Sequence, residues 1–170
     1  MLFERYKKPI LNYALRVTGN RADAEDVVSE VMLAVFVKKD MYQPIAKFST
    51  WIFTITRNNC VTKLRKRKNI FSLWVRNETG EEELLDPADP AAALPDELVK
   101  EKEMTAQIKK AIEKLPETQR EALVLREYQD LSYEEISQVL GCSLDNVKIL
   151  IFRARERLRQ ELSSFMVEGS

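Results

Sequence analysis

The spacing of apolar residues at every third or fourth position is the feature that most constrains the fold of this 170-residue chain. Such spacing places apolar side chains on one face of an α-helix. No stretch alternates apolar and polar residues for long, as a strand with one buried face would. Only four glycines interrupt the chain, and 45% of its residues are hydrophobic, which is enough to build real cores. The sequence therefore predicts an all-α fold.

Two amphipathic helices are predicted in the first 40 residues. The first spans residues 3–17. The second begins at about Asp23, and its apolar stripe extends from Val27 to Phe36. The acidic residues of this second helix share another face, because they recur at steps of three and four: Asp23, Asp26 and Glu30.

A third helix is predicted from about Ser49, with Trp51, Ile52 and Ile55 on its inner side, and it runs into a tail without any acidic residue. The tail carries six cations: Arg57, Lys63, Arg65, Lys66, Arg67 and Lys68. Most helix surfaces mix charges of both signs. An unneutralised basic stripe therefore indicates a surface that binds an anion.

An acidic, proline-containing segment follows. Residues 77–103 carry ten acidic residues against two lysines, and three of the six prolines lie among them. This composition predicts a flexible linker at residues 71–103, between one domain at 1–70 and another at 104–167.

The second domain carries the strongest local signal, a helix-turn-helix. Ser132 and Glu135 have the spacing of a capping box, and Gly141 suits the left-handed residue that ends a helix. Ser143 can cap the next helix. Two helices joined by such a turn are typical of motifs whose second helix enters a DNA major groove. An ordinary helical hairpin has the same turn, but the basic end RARERLR favours phosphate contacts and hence DNA.

Other helices and core residues complete this domain. A helix is predicted before Pro116, and another at residues 117–128 has Tyr128 among its core positions. In the second helix of the helix-turn-helix, the residues predicted to face the core are Val147, Ile151, Ala154 and Leu158.

Several functions are excluded by residues that the chain lacks. It contains no histidine, which removes Ser-His and Cys-His catalysis and the usual ligands of zinc. Cys60 and Cys142 lack CxxC spacing and are expected to be buried, reduced thiols. No apolar run approaches ~18 residues, and the N-terminus does not resemble a signal peptide. We therefore expect a cytoplasmic protein without a membrane span, a metal, a cofactor or an enzymatic activity.

Three stretches together resemble the sigma factors of bacterial RNA polymerase. In chain order they are NRADAEDVVSEVMLAVF, FSTWIFTITRNNCVTKLRKRK and LPETQREALVLREYQDLSYEEISQVLGCSLDNVKILIFRARERLR. They are most similar to the extracytoplasmic-function group, which keeps only the sigma-two and sigma-four domains. The resemblance covers most of the chain outside the linker. It implies two small helical domains, a sigma-two helical bundle and a sigma-four helix-turn-helix.

The resemblance also implies roles for individual residues. In the family, the helix that matches residues 23–36 docks on the largest polymerase subunit, so contacts with core RNA polymerase are expected from Asp23, Asp26 and Glu30. The residues expected at the melted minus-ten element of promoter DNA are Arg57, Asn58, Thr62, Lys63, Arg65 and Lys66. Those expected at the minus-thirty-five element are Asp145, Asn146, Lys148, Ile149, Phe152 and Arg153. The implied function is promoter recognition and transcription initiation, and an anti-sigma factor is a further implied partner.

Asn58 is the candidate reader of an unpaired base, because an amide can both donate and accept hydrogen bonds. The alternative is a local bond to the backbone. Trp51 could stack on an exposed base but is expected in the core.

The chain departs from the family pattern at two places. Ile149 and Leu150 stand where the family often has a small polar residue and then an arginine. This removes a guanidinium that could read guanine, so we expect either weaker sequence reading at this element or reliance on apolar contact with thymine methyl groups. Family members also usually carry more helix before the position of Leu2, so we expect either that part of the sigma-two surface is missing or that translation starts elsewhere.

Two other functions compete with a sigma factor. A polymerase-independent helix-turn-helix regulator would explain residues 130–160, but it leaves the acidic helix and the basic tail without a role. A metal-dependent nuclease would need clustered carboxylates, whereas the acids here fall in the linker or on exposed helix faces.

Overall fold

The computed structural model describes residues 2–45, 47–75 and 96–168, and the regular structure in these ranges is entirely helical. The elements are α1 (Leu2–Thr18), α2 (Arg21–Lys38), a short 3-10 helix (Lys39–Met41), α3 (Phe48–Val75), α4 (Asp96–Glu113), α5 (Glu117–Glu127), α6 (Tyr133–Leu140) and α7 (Leu144–Glu168). The predicted all-α fold is confirmed. None of the helices in these ranges is both long and apolar enough to cross a lipid bilayer.

Helices α1, α2 and α3 pack together and bury Ile10, Tyr13 and Val17 of α1 and Val27, Val28 and Val31 of α2. Helix α2 begins two residues earlier than predicted, because the Asn20 side chain caps it by accepting the Asp23 N–H at 2.9 Å. Its last fully buried residue is Val31 and Val35 is half-buried against the core, whereas Phe36, which was predicted in the core, is 69% exposed. The last two turns of α2 thus leave apolar side chains in solvent, namely Leu33, Phe36 and Val37.

The inner face of α3 is wider than predicted, and it is rotated about the helix axis from the side of Ile55 towards that of Phe53. Ile52 is buried as expected, but Phe53 is buried as well, whereas Ile55 is only half-buried. Trp51 lies at the edge of the core, in an aromatic cluster with Tyr42 at 5.2 Å between ring centroids. The difference arises because α3 packs against both α1 and α2, and a helix with two neighbours buries more than one narrow stripe.

The helix-turn-helix has the predicted local structure. Ser132 and Glu135 form a complete capping box, and Gly141 ends α6 with φ of 67°. The Ser143 hydroxyl accepts the Asn146 N–H at 3.2 Å and so caps α7. The predicted core residues of α7 are buried or half-buried against the core: Val147, Ile151, Ala154 and Leu158.

The segment predicted as a linker is helical at both of its described ends, since α3 continues to Val75 and α4 begins at Asp96. Carboxylates in the first turn of α4, from Asp96 and Glu97, favour a helix start there because they face its partial positive charge. The prediction of a linker at 71–103 therefore does not fit residues 71–75 and 96–103, and residues 76–95 lie outside the described ranges.

The two halves of the chain pack against each other. Helix α1 contacts α4 and α5, and α3 contacts α6, so that buried residues of both halves form one contiguous cluster. Tyr128, which was predicted in the core, is 41% exposed and lies beneath the Arg16 guanidinium of α1 at 3.7 Å from the ring centre. A position at the end of α5 that was predicted to lie inside one domain therefore contributes to the contact between the halves.

The two cysteines differ in their surroundings. Both are free thiols, as predicted, but Cys60 is fully buried on α3, whereas Cys142 is only half-buried in the turn after α6. Burial raises the pKa of the Cys60 thiol to about 12, and the nearby Glu121 carboxylate adds to this shift.

We therefore expect the two thiols to react at very different rates with a thiol-specific reagent at pH 8. Cys142 should react in the native protein, while Cys60 should react only on unfolding, because a buried thiol with a raised pKa supplies almost no thiolate. Titration with a disulfide reagent measures this, and a Cys142→Ser variant should lose the fast phase. Two equally fast thiols would contradict the burial of Cys60.

Candidate nucleic-acid and polymerase interfaces

The cations of α3 point in three directions, and two of these directions are occupied by acids. Lys63 and Arg67 turn towards α2. The Lys63 ammonium lies 2.9 Å from a Glu30 carboxylate oxygen and 3.8 Å from one of Asp26, and Arg67 donates to Asp23. The hydrogen bond to Glu30 raises the pKa of the Lys63 ammonium. Acids predicted to face polymerase and a cation predicted to face DNA thus neutralise each other within one helix pair.

The second pair of cations turns towards α5. Arg57 donates from Nε to Glu121 Oε2 at 3.3 Å, and Lys68 donates to Glu117 at 3.3 Å. The Glu121 side chain is 1% exposed, while that of Arg57 is 24% exposed. Burial raises the pKa of the Glu121 carboxyl, and the Arg57 guanidinium opposes this shift.

The prediction of an unneutralised basic tail is therefore wrong for four of its six cations, namely Arg57, Lys63, Arg67 and Lys68. Their acidic partners lie on other helices, far away in the sequence. Arg65 and Lys66 are exposed and pair with no acid in the described part of the chain.

The third direction of α3 is open to solvent. Asn58, Thr62, Arg65 and Lys66 are all exposed and, at steps of three and four, they form one outward stripe. The Asn58 side chain makes no hydrogen bond with any residue that the structure describes. It is the neighbouring Asn59 whose amide donates to the Ile55 carbonyl at 2.9 Å. The local bond considered for Asn58 is thus made by Asn59.

Helix α2 carries a second exposed stripe. Asp26 and Glu30 keep 66% and 48% of their side-chain surface exposed despite their contacts with Lys63. The exposed Leu33 and Val37 continue the same face by steps of three and four. This face can offer both carboxylates and apolar surface to a partner. Sequence periodicity predicted only the acidic part of this face and assigned no role to Leu33 or Val37.

The outward face of α7 holds all six residues predicted to face DNA, and each of them is exposed: Asp145, Asn146, Lys148, Ile149, Phe152 and Arg153. Ile149 and Phe152 are 47% and 66% exposed, although both are large and apolar. Because helix α7 buries its opposite face through Val147 and Ile151, this orientation follows from the same periodicity that defines its core.

Known protein families match both halves of the chain. Residues 2–70 match the family described as sigma-70 region 2, and residues 105–158 match the one described as sigma-70, region 4. The ECF RNA polymerase sigma factor SigW of Bacillus subtilis (strain 168) is 33% identical over 159 residues, which cover 92% of this chain and 84% of that protein. This chain belongs to the sigma-70 family, in its extracytoplasmic-function group.

Other comparisons agree with this assignment. The RNA polymerase sigma-H factor of Pseudomonas aeruginosa is 30% identical to this sigma factor over 99% of the chain and 88% of that protein. Among solved structures, the sigma factor RpoE of Bartonella quintana, in complex with the anti-sigma factor NepR, matches with a TM-score of 0.70 at 25% identity. The match covers 92% of this chain and 91% of that one. A helix-turn-helix regulator would account for the region 4 match alone.

Two residues that join the halves of this sigma factor were missed by sequence reasoning. Glu121 is one of several acids on α5, and nothing in the local pattern marks it as buried. Arg120 donates to the Val17 carbonyl of α1 at 2.9 Å and also to three carbonyls at the end of α4, those of Ile112, Glu113 and Leu115. The one sequence feature that could have indicated the roles of Arg120 and Glu121 is their position directly before an apolar run, in REALVL.

Proposed function

We propose that this sigma factor binds core RNA polymerase, recognises the minus-ten and minus-thirty-five promoter elements with its two halves, and stabilises the melted strand at initiation. The observation that carries the proposal is the outward stripe of α3, where Asn58, Thr62, Arg65 and Lys66 are exposed while the other cations of the helix have acidic partners. A surface of two unpaired cations with an amide and a hydroxyl suits a single strand, since it supplies phosphate contacts and hydrogen bonds to a base edge.

The minus-ten strand would be held by binding alone. Arg65 and Lys66 contact phosphates without reading sequence, and Asn58 reads an unpaired base. Arg57 joins them when Glu121 releases it, whereas Lys63, which is held by Glu30 and Asp26, adds a weaker contact. Melting then draws on captured bases and phosphate contacts, so the protein acts as a transcription regulator that needs neither a catalytic residue nor a cofactor.

Core polymerase would bind the stripe of α2. Asp26 and Glu30 offer carboxylates to basic side chains of the partner, with Asp23 beside them, and Leu33 and Val37 add apolar surface that is lost from water on docking. An interface of this composition explains why large apolar residues remain exposed at the end of this helix.

The minus-thirty-five element would meet the outward face of α7. Lys148 and Arg153 contact phosphates, and Asp145 and Asn146 lie in the first turn, where a recognition helix reaches base edges. Ile149 and Phe152 offer apolar contact to thymine methyl groups instead of a bidentate contact to guanine.

The role of a sigma factor in initiation also implies where the protein acts and which partners it binds. The place of action is the cytoplasm, where the protein meets core polymerase and promoter DNA. An anti-sigma factor is a further partner, and the complex of RpoE with NepR supports this by analogy.

Size-exclusion chromatography of the purified chain with core RNA polymerase tests the function. The chain should co-elute with polymerase and bind promoter DNA specifically only in that complex. Elution apart from polymerase, together with specific DNA binding by the chain alone, would instead indicate a polymerase-independent regulator.

The acidic stripe should matter for polymerase and little for folding. The Asp26→Lys/Glu30→Lys variant should weaken core binding by roughly tenfold, or about 1.4 kcal/mol, because it repels basic partner side chains. The matched control is Glu25→Lys on the same helix, whose carboxylate pairs with Arg21 outside this stripe. Fluorescence titration with core polymerase measures both variants, and equal affinities would remove the docking role of the stripe.

The outward cations should act as phosphate contacts. Replacing Arg65 and Lys66 by Gln should weaken binding of the polymerase complex to all promoters alike. It should also flatten the dependence of log K on log salt by roughly one unit per lost contact.

The matched comparison is Lys63→Gln, which should flatten this dependence less because Glu30 and Asp26 already neutralise Lys63. A loss confined to particular promoter sequences would show that Arg65 and Lys66 read bases.

Asn58 should determine a base preference. The Asn58→Ala variant should reduce open-complex formation mainly on promoters with the preferred base, by the ~1–3 kcal/mol that a base contact is worth in discrimination. Asn59→Ala is the control. It should lower the free energy of unfolding by ~1 kcal/mol through the lost bond to Ile55 and leave base preference unchanged.

Transcription from promoter variants, set beside thermal melts, separates the two asparagines. A base preference that survives in Asn58→Ala would remove the reading role.

A further inference from the structure

An ion pair between the two halves of the chain involves a residue that the proposed function needs for DNA. Arg57 belongs to α3, in the half that would hold the minus-ten strand, yet its Nε donates to Glu121 of α5 at 3.3 Å. The Glu121 carboxylate is 1% exposed, and its Oε1 has no hydrogen-bond partner in the described ranges. Arg57 is therefore the one cation that this buried carboxylate has at hydrogen-bond distance there.

The contact between the halves does not depend on this pair alone. Arg120 donates to the Val17 carbonyl at 2.9 Å, and Gln129 donates to that of Pro9 at 3.2 Å. Further contacts pair one residue of each half: Arg16 with Tyr128, Lys47 with Glu135, and Lys68 with Glu117. Polar contacts thus extend over α1 and α3 on one side and over α5 and α6 on the other.

This closed arrangement cannot engage both promoter elements. Elements centred roughly 25 base pairs apart are separated by about 85 Å of duplex, at 3.4 Å per base pair. Helix α7, which would read one element, belongs to a half that here touches α3, which would read the other. The outward face of α7 remains exposed in the closed form, whereas Arg57 is half-buried and its Nε is bound to Glu121.

We propose that the free chain holds itself closed through Glu121, which occupies Arg57, and that the halves must separate before Arg57 reaches the minus-ten strand. The role of Arg57 in binding the minus-ten strand rests on the proposed function, whereas its contact with Glu121 is observed in the structure. The closed form is then an intramolecular inhibitory state, and core polymerase or DNA selects the open one.

The charge of Glu121 determines whether the two halves stay in contact. A buried carboxylate is costly unless it is paired, so the closed form tolerates Glu121 only while Arg57 stays opposite to it. Separation returns Glu121 to water and frees Arg57 in the same step. A positive charge at position 121 would place two cations together in a largely buried site, and the halves should separate.

Small-angle X-ray scattering of the full chain provides the test. The unmodified chain should give the scattering curve of the closed arrangement. Glu121→Lys should raise the radius of gyration by roughly a quarter, because two separated halves no longer form one compact body. Glu103→Lys makes the same charge change at an exposed position of α4 and should leave the radius unchanged. Helix content from circular dichroism distinguishes opening from unfolding.

A charge exchange tests the pair itself. The double variant Arg57→Glu/Glu121→Lys restores opposite charges across the contact and should return the radius of gyration to that of the unmodified chain. An extended unmodified chain, or a Glu121→Lys variant as compact as Glu103→Lys, would overturn the proposal. Scattering from the unmodified chain shows whether the free chain is closed, and this result does not depend on any variant folding correctly.

Single-stranded DNA reports the release of Arg57. A fluorescent oligonucleotide of mixed sequence should bind Glu121→Lys several-fold more tightly than Glu103→Lys at low salt, since both variants gain the same charge but only one frees Arg57. Equal affinities would contradict the masking of Arg57. Absence of polymerase binding would overturn the proposed function without changing the scattering result, so the two failures are distinguishable.

Discussion

Helix α3 packs against α1, α2 and α6 and also forms ion pairs with α2 and α5. The arrangement of the other helices depends on these contacts. One face is buried in the first half through residues such as Ile52, Phe53 and Cys60. Two further faces bring cations against acids of α2 and α5. What remains is a single solvent-facing stripe. A helix with a uniform basic surface would repel itself and its neighbours, whereas this distribution lets a strongly charged helix pack on both sides.

The same distribution links the two halves of this sigma factor. Lys63 ties α3 to the face of α2 proposed for polymerase, and Arg57 ties α3 to the half that carries the helix-turn-helix. The residues proposed for DNA and for polymerase are therefore partners of one another in the free chain. Exposed ion pairs of this kind are individually weak, so a charged ligand can displace them at little cost, whereas the buried pair with Glu121 separates only when the halves do.

Much of the fold could be predicted from the sequence because its determinants are local. The capping box at Ser132, the left-handed turn at Gly141 and the cap at Ser143 each depend on residues a few positions apart, and all three were predicted. The outward face of α7 followed as well, since a helix that buries Val147 and Ile151 must expose the opposite side.

The remaining features depend on contacts between distant residues, which periodicity does not encode. Lys63 and Glu30 are 33 positions apart, and Arg57 and Glu121 are 64 apart, so the sequence indicated an open basic stripe where the structure has ion pairs. The same limitation explains Phe36 and Tyr128. Both have the spacing of core residues, but Phe36 remains exposed to solvent and Tyr128 packs against the Arg16 guanidinium.

Transcription of fragmented genomic DNA by core polymerase, with and without this protein, tests the central claim most directly, with the RNA 5′ ends mapped by sequencing. A sigma factor should produce discrete start sites that are absent with core polymerase alone and share two sequence elements upstream. An unchanged set of 5′ ends, from a preparation of the chain that is folded by circular dichroism, would contradict the account.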